Sequence, residues 1–170
     1  MTDPAATQPE TSEMSVESVK AFFAERAPEI SVIETETSTA TVAEAAQTFG
    51  VAPGQIAKTL SLKVRGEVLI LVAAGDARLD NAKAKAAFGG KPKMLDLSEV
   101  EDLTGHPVGG VCPFGLSRPL PVFCDESLRA YAEVLPAAGA RNAAVRMTPA
   151  RLAELTGARW VDVCRIPGAA

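Results

Sequence analysis

The chain has 170 residues, 47% of them apolar and 22% charged, a balance that suits a folded globular protein and excludes a disordered or collagen-like one. Its net charge of −4 divides into −7 over residues 1–50 and +3 over the remainder, which speaks against tight, sequence-blind duplex binding. No apolar run reaches about 18 residues, no leader pattern is visible, and three scattered cysteines accompany one histidine. A reduced, cytoplasmic protein is expected, with no membrane span, disulfide framework or metal site.

Residues 1–14 are polar, with Pro4 and Pro9, and read as a flexible tail; residues 15–170 read as a single domain. Ser15 is expected to cap a helix to about Arg26, with Val16, Val19, Phe22 and Phe23 as its apolar stripe. A strand over Ile30–Ile33 follows. Thr41 and Glu44 then form a capping-box pattern, and Gly50 suits the left-handed end of the helix they open. Strands over 56–64 and 67–74 flank Arg65-Gly66, a tight hairpin turn; the second is almost wholly apolar and should be central. Asp80 opens a short helix that stops at Gly89-Gly90, and a strand covers 93–97. Ser98 and Glu101 pattern as the cap of a helix ended by Gly105. Pro121–Cys124 is a strand and Asp125 the cap of a helical turn. A strand over 144–147 precedes a helix from Thr148-Pro149 to Gly157, and Trp160–Val163 forms the last strand. Strands and helices do not alternate strictly, so an α+β fold with a mixed sheet is expected.

Three features carry chemistry. On strand 56–64, Ile56, Lys58, Leu60, Leu62 and Val64 share a face, so an amine stands among aliphatic side chains. An ammonium in a core is costly, so Lys58 marks either a wet cavity or an exposed shoulder where the strand begins late. Next, Gly109-Gly110-Val111-Cys112-Pro113 can turn consecutive amides into a concavity that suits a carbonyl or oxyanion, or can simply be a turn that needs glycine. The loop matches neither nucleotide-binding glycine pattern. Lastly, Cys112 with His106 could make a thiol nucleophile and its base, whereas a surface turn is the plainer reading of His106. The basic stretch Arg78, Lys83, Lys85, Lys91 and Lys93, broken only by Asp80, is a modest phosphate-facing patch or a solvated helix face.

Taken together, several stretches resemble the freestanding aminoacyl-tRNA editing domains, the YbaK-like or prolyl-tRNA-synthetase-associated family. They are 43–51, Gln55-Ile56-Ala57-Lys58-Thr59-Leu60, Ala74-Gly75-Asp76, 101–115 with its GxxxP loop from Gly109 to Pro113, Asp125–Leu128 and 141–155. The resemblance runs from about residue 15 to 165 and implies a twisted, barrel-like mixed β-sheet flanked by helices. It further implies hydrolysis of the ester joining a wrong, small amino acid (alanine, serine, threonine or cysteine) to a tRNA 3′ end, without cofactor or metal. Lys58, Gly109 and Gly110 are then the expected catalytic group, and Val111, Cys112, Pro113, Thr39 and Asn142 the expected substrate contacts. Water attack would be assisted by the terminal ribose hydroxyl of the substrate. The aminoacyl-tRNA 3′ end is the expected partner, together with prolyl-tRNA synthetase or another synthetase; a noncatalytic module binding tRNA ends is the alternative. Ala144 stands where the cysteine-specific branch carries aspartate, which puts cysteine in doubt as the substrate.

Overall fold

The computed structural model describes residues 11–168. Helix α1 (Thr11–Arg26) starts four residues before the expected cap, so Ser15 lies inside it. Residues 1–10 of the expected tail lie outside the described residues. Ser15 is buried and hydrogen-bonds to His106 Nδ1 instead of closing its own helix. Val16, Val19 and Phe23 are buried as the stripe demands, and Phe22 packs at the edge of the same core.

The expected strand over 30–33 is reduced to β1 (Ile33–Glu34). Helix α2 (Val42–Phe49) has the full capping box of Thr41 and Glu44 and ends at Gly50 with φ +66°. A 3-10 turn at Pro53–Gln55 feeds β2 (Ile56–Val64), which pairs antiparallel with β3 (Glu67–Ala74). Between them Arg65 and Gly66 have φ of +53° and +81°, the paired left-handed values of a type I′ turn. After β4 (Arg78–Leu79), Asp80 caps helix α3 (Asn81–Phe88) by accepting from the Lys83 amide at 3.0 Å. Strand β5 (Lys93–Met94) is shorter than expected because helix α4 (Leu97–Thr104) begins at Leu97, with Asp96 at its cap position and Ser98 inside it. Then come β6 (Val122–Asp125), a 3-10 turn at Glu126–Ala130, β7 (Leu135–Pro136), β8 (Ala143–Ala144), helix α5 (Pro149–Thr156), β9 (Arg159–Val161) and β10 (Cys164–Arg165).

The main sheet has the order β5-β2-β3-β6-β9, with β7 joined in parallel to the start of β2. Antiparallel and parallel pairings both occur, and β3 is central as its apolar run implies. The barrel-like sheet expected from the resemblance is corrected: the sheet stays open. Its two ends do not meet, because β1–β8 and β4–β10 form separate two-stranded ladders instead of bridging the edges. Its two faces carry separate cores. Ile70, Val72 and Cys124 pack with α1 and α5 on one side, and Leu62, Leu71 and Val163 pack on the other. Asp125 ties the strand ends together. One carboxylate oxygen accepts from the Ser127 amide at 2.9 Å and the other from the Val163 amide at 2.8 Å, and the residue is buried.

Candidate functional site

A cleft of about 220 Å³ opens where the first half of β2 meets α2, α4, the glycine loop and the 135–144 segment. Its walls are mostly apolar, with Val42, Ile56, Leu95, Val100 and Ala144 among them. A mostly apolar concavity with a few placed polar groups is the usual form of a small-ligand site.

The glycine loop forms one rim. Gly109 has φ +91°, and a Cβ there would come within 3.1 Å of Ala40 Cβ and of Arg141 Cγ. Gly110 is tighter still, since a Cβ would lie 2.6 Å from the Ala140 nitrogen and 2.7 Å from its Cα. Both glycines therefore let the loop lie against the 139–141 backbone, where the Gly139 amide donates to Gly110 O at 3.0 Å. The Gly110 amide donates to Pro107 O at 2.9 Å. Arg141 fastens the rim, with Nε donating to Val108 O at 3.1 Å and its own carbonyl accepting from the Thr39 amide at 2.6 Å.

Of the residues singled out from the sequence, Lys58, Gly109, Val111 and Thr39 line the cleft together. Gly110, Cys112, Pro113 and Asn142 are not among its walls. Asn142 is exposed and clips the chain to Thr35, its Nδ2 donating to Thr35 O at 2.9 Å. Lys58 is half-buried and its ammonium donates to Ala77 O. Desolvation is the main influence on this amine and lowers its pKa, with the negative charge of Asp76 among the opposing effects. Alternation along β2 places Lys58 on the face of Leu60 and Leu62, and Thr59 and Ser61 on the opposite one.

His106 overturns its plain reading. It is fully buried, not a surface turn residue. Its Nε2 lies 2.7 Å from Phe114 O, an atom that can only accept, so Nε2 carries the proton and Nδ1 accepts from the Ser15 hydroxyl. Burial holds the imidazole pKa below its usual value and the ring neutral. Cys112 Sγ is 3.6 Å from Nε2, but that nitrogen already bears a proton and cannot take another from the thiol. Burial also pushes the Cys112 thiol up to about 12. The pair is a packing device that anchors the glycine loop on α1. Ser18 Oγ adds a bond to Gly115 O at 3.2 Å, and the Phe23 ring packs against Phe114 with centroids 4.7 Å apart and planes tilted by 56°.

Sequence reasoning passed over Thr59, Ser61, Val42 and Ala143 as walls of the cleft, whereas Ala144, already weighed against a cysteine substrate, does line it. A signal existed for the two hydroxyls. Thr59 and Ser61 pair with Val72 and Ile70, so small polar residues share a sheet face with large apolar ones. The basic stretch is partly consumed, because Lys83 binds Asp162 at 3.0 Å and Cys164 O at 3.1 Å.

The family model of the aminoacyl-tRNA editing domain matches residues 36–155, which include β2, the glycine loop and every wall of the cleft named above. The chain is 47% identical over 154 residues to the YwhH protein of Bacillus subtilis (strain 168), covering 89% of this chain and 98% of that one. It is 30% identical over 106 residues to the proline–tRNA ligase of Bacillus licheniformis, of whose length the match spans only 18%. Among solved structures it superposes with a TM-score of 0.82 on a candidate trans-editing enzyme for prolyl tRNA synthetase. That protein is 38% identical, with 89% of this chain and 97% of the other covered. The protein APE2540 superposes with a TM-score of 0.81 at 34% identity, over 87% of this chain and 99% of that one.

Proposed function

This chain belongs to the aminoacyl-tRNA editing domain family, and from that premise we propose that it is a deacylase acting in trans on mischarged tRNA. The substrate would be the ester between a small amino acid and the 3′-terminal ribose of a tRNA, with tRNA for proline the first candidate, given the ligase and trans-editing relatives. The observation that carries this reading is the placement of Lys58, Gly109 and Val111 around one mostly apolar cleft of about 220 Å³.

In the proposed reaction, water adds to the ester carbonyl, the bond to the ribose oxygen breaks, and that oxygen leaves with a proton. The amino acid departs as its carboxylate. The neighbouring ribose hydroxyl is the proton carrier, since the buried Cys112 and neutral His106 supply neither nucleophile nor base. Because the Gly110 amide is engaged by Pro107, the loop's candidates for holding the ester carbonyl are the amides of Gly109 and Val111. Lys58 would exchange Ala77 O for the aminoacyl-adenosine end and neutralise charge there. A second site of this kind is useful because a synthetase pocket separates side chains differing by one methylene by only about 1–3 kcal/mol.

The bond from Lys58 to Ala77 O also favours a second reading, in which the lysine is structural and the chain binds tRNA ends without cleaving them. The deciding assay is single-turnover ester loss from tRNAs charged with alanine, serine, threonine or cysteine, run beside Lys58→Ala. Turnover of one or two esters that drops at least about 100-fold in the variant supports editing with Lys58 in the site. Tight tRNA binding with no ester loss from any tRNA would establish the binding module instead.

A further inference from the structure

Among the described residues, the Thr59 hydroxyl is the one buried side-chain polar atom without a hydrogen-bond partner. Folded proteins pair such atoms in the great majority of cases, and an exception at a cleft wall calls for an explanation. Thr59 belongs to that wall. The other polar residues around it are mostly engaged. Thr39 Oγ1 donates to Arg141 O at 3.3 Å, Thr41 Oγ1 to Glu44 at 3.2 Å, and the Lys58 ammonium to Ala77 O. Ala57 and Ser61 flank it on the same strand face and Val72 is its partner on β3, and neither the Ser61 hydroxyl nor any other group bonds to the Thr59 hydroxyl.

We propose that Thr59 is a specificity-determining residue, its hydroxyl reserved for a hydrogen-bonding group on the side chain of the aminoacyl ester. The inference rests on the reading of the cleft as the aminoacyl site. The substrate class it selects is hydroxyl-bearing, serine or threonine, in preference to alanine. A hydroxyl can both donate and accept, so Thr59 and the substrate hydroxyl complete one another, whereas an alanyl side chain leaves Thr59 unpaired. Sites built this way discriminate strongly, because the wrong ligand leaves a buried polar group unmatched.

The test uses Thr59→Val, which keeps the shape and removes the hydroxyl, and Thr59→Ser, which keeps the hydroxyl. Binding is measured by calorimetry with two nonhydrolysable amides, 3′-seryl- and 3′-alanyl-amino-3′-deoxyadenosine. Wild type is expected to prefer the seryl amide by about 10-fold, Thr59→Ser to retain the preference, and Thr59→Val to bring the ratio close to one. Thr59→Val should also melt higher than wild type, since it removes an unpaired buried hydroxyl; a merely structural threonine would melt lower. Equal binding of both amides by wild type, no binding of either, or an unchanged ratio in Thr59→Val would overturn the proposal. The editing reading fails separately: a Thr59-dependent seryl preference with no ester hydrolysis removes the deacylase but leaves the specificity residue. Hydrolysis of esters with an unchanged ratio in Thr59→Val does the reverse.

Discussion

The buried contact of Ser15, His106 and Cys112 shows how one residue's surroundings decide its chemistry. In sequence, a cysteine six positions from a histidine resembles a nucleophile and its base. In the fold, the imidazole donates to Phe114 O, accepts from Ser15 and stays neutral, while the thiol is pushed up to about 12. A pH dependence follows. The folded His106 pKa lies below the unfolded value of 6.5, so the unfolded chain takes up a proton first as pH falls. This loss of stability is absent well above 6.5, grows as pH drops through it, and levels off below the folded pKa. Its slope is at most about 1.4 kcal/mol per pH unit. His106 is the sole histidine, so urea midpoints at pH 7.5 and 5.5 for wild type and His106→Gln isolate its part. Wild type should lose more stability than the variant between the two values; equal losses would show that the folded ring takes up its proton as readily as the unfolded one.

Among the elements, the glycine loop is held by backbone proximity. A Cβ on Gly110 would press on the Ala140 nitrogen and Cα, and these are backbone atoms that cannot swing aside. Gly110→Ala should therefore separate the loop from the 139–141 segment, at about 1–3 kcal/mol of stability by overpacking. It should also depress ester turnover beyond what the stability loss explains, since the cleft rim is displaced. Thermal melts together with single-turnover rates check both parts, and a variant with wild-type rate and melting point would rule out this packing role. The helices tell a complementary story. Thr41, Asp80 and Thr148 each cap a helix through their own side chains, and Gly50, Gly89, Gly105 and Gly157 end helices at positive φ. Ser98 did not follow its pattern, because Asp96 takes the cap position and Leu97 enters the helix. Capping signals locate a terminus to within a turn, and neighbouring candidates compete.

For the molecule as a whole, apolar clusters on both faces of an open mixed sheet, with a smaller one of Ala45, Ala46, Ile56 and Leu135, supply the stability, and the ion pairs are peripheral. In every one among the described residues, each partner leaves at least 32% of its side chain exposed. Exposed pairs contribute about 0–1 kcal/mol each and are screened by salt. Raising ionic strength to about 1 M should hence lower the melting temperature by only a few degrees. Scanning calorimetry at low and high sodium chloride checks this, and a large fall would mean that charge carries more of the fold than burial does. No helix among the described residues is long and apolar enough to cross a membrane.

The sequence by itself determined whatever depends on neighbours along the chain. The β2–β3 hairpin with its Arg65-Gly66 turn, the centrality of β3, the helices capped by Thr41, Asp80 and Thr148 and the α+β class were legible, because dihedral preference and side-chain period act over a few residues. Lys58, Gly109, Val111 and Thr39 stood out in the sequence too and line one cleft, whereas Gly110, Cys112, Pro113 and Asn142 do not. Tertiary structure alone decided the rest. Two-residue strands such as β1, β7 and β8 have no period to read and exist only because a distant segment completes their ladder. Burial of His106 depends on α1, 91 positions away along the chain from the Ser15 side. The openness of the sheet depends on which edges meet. That Lys58 is held by Ala77 O while Thr59 is left unpaired follows from which backbone atoms fold back over each face, a matter of long-range contact that no local pattern encodes.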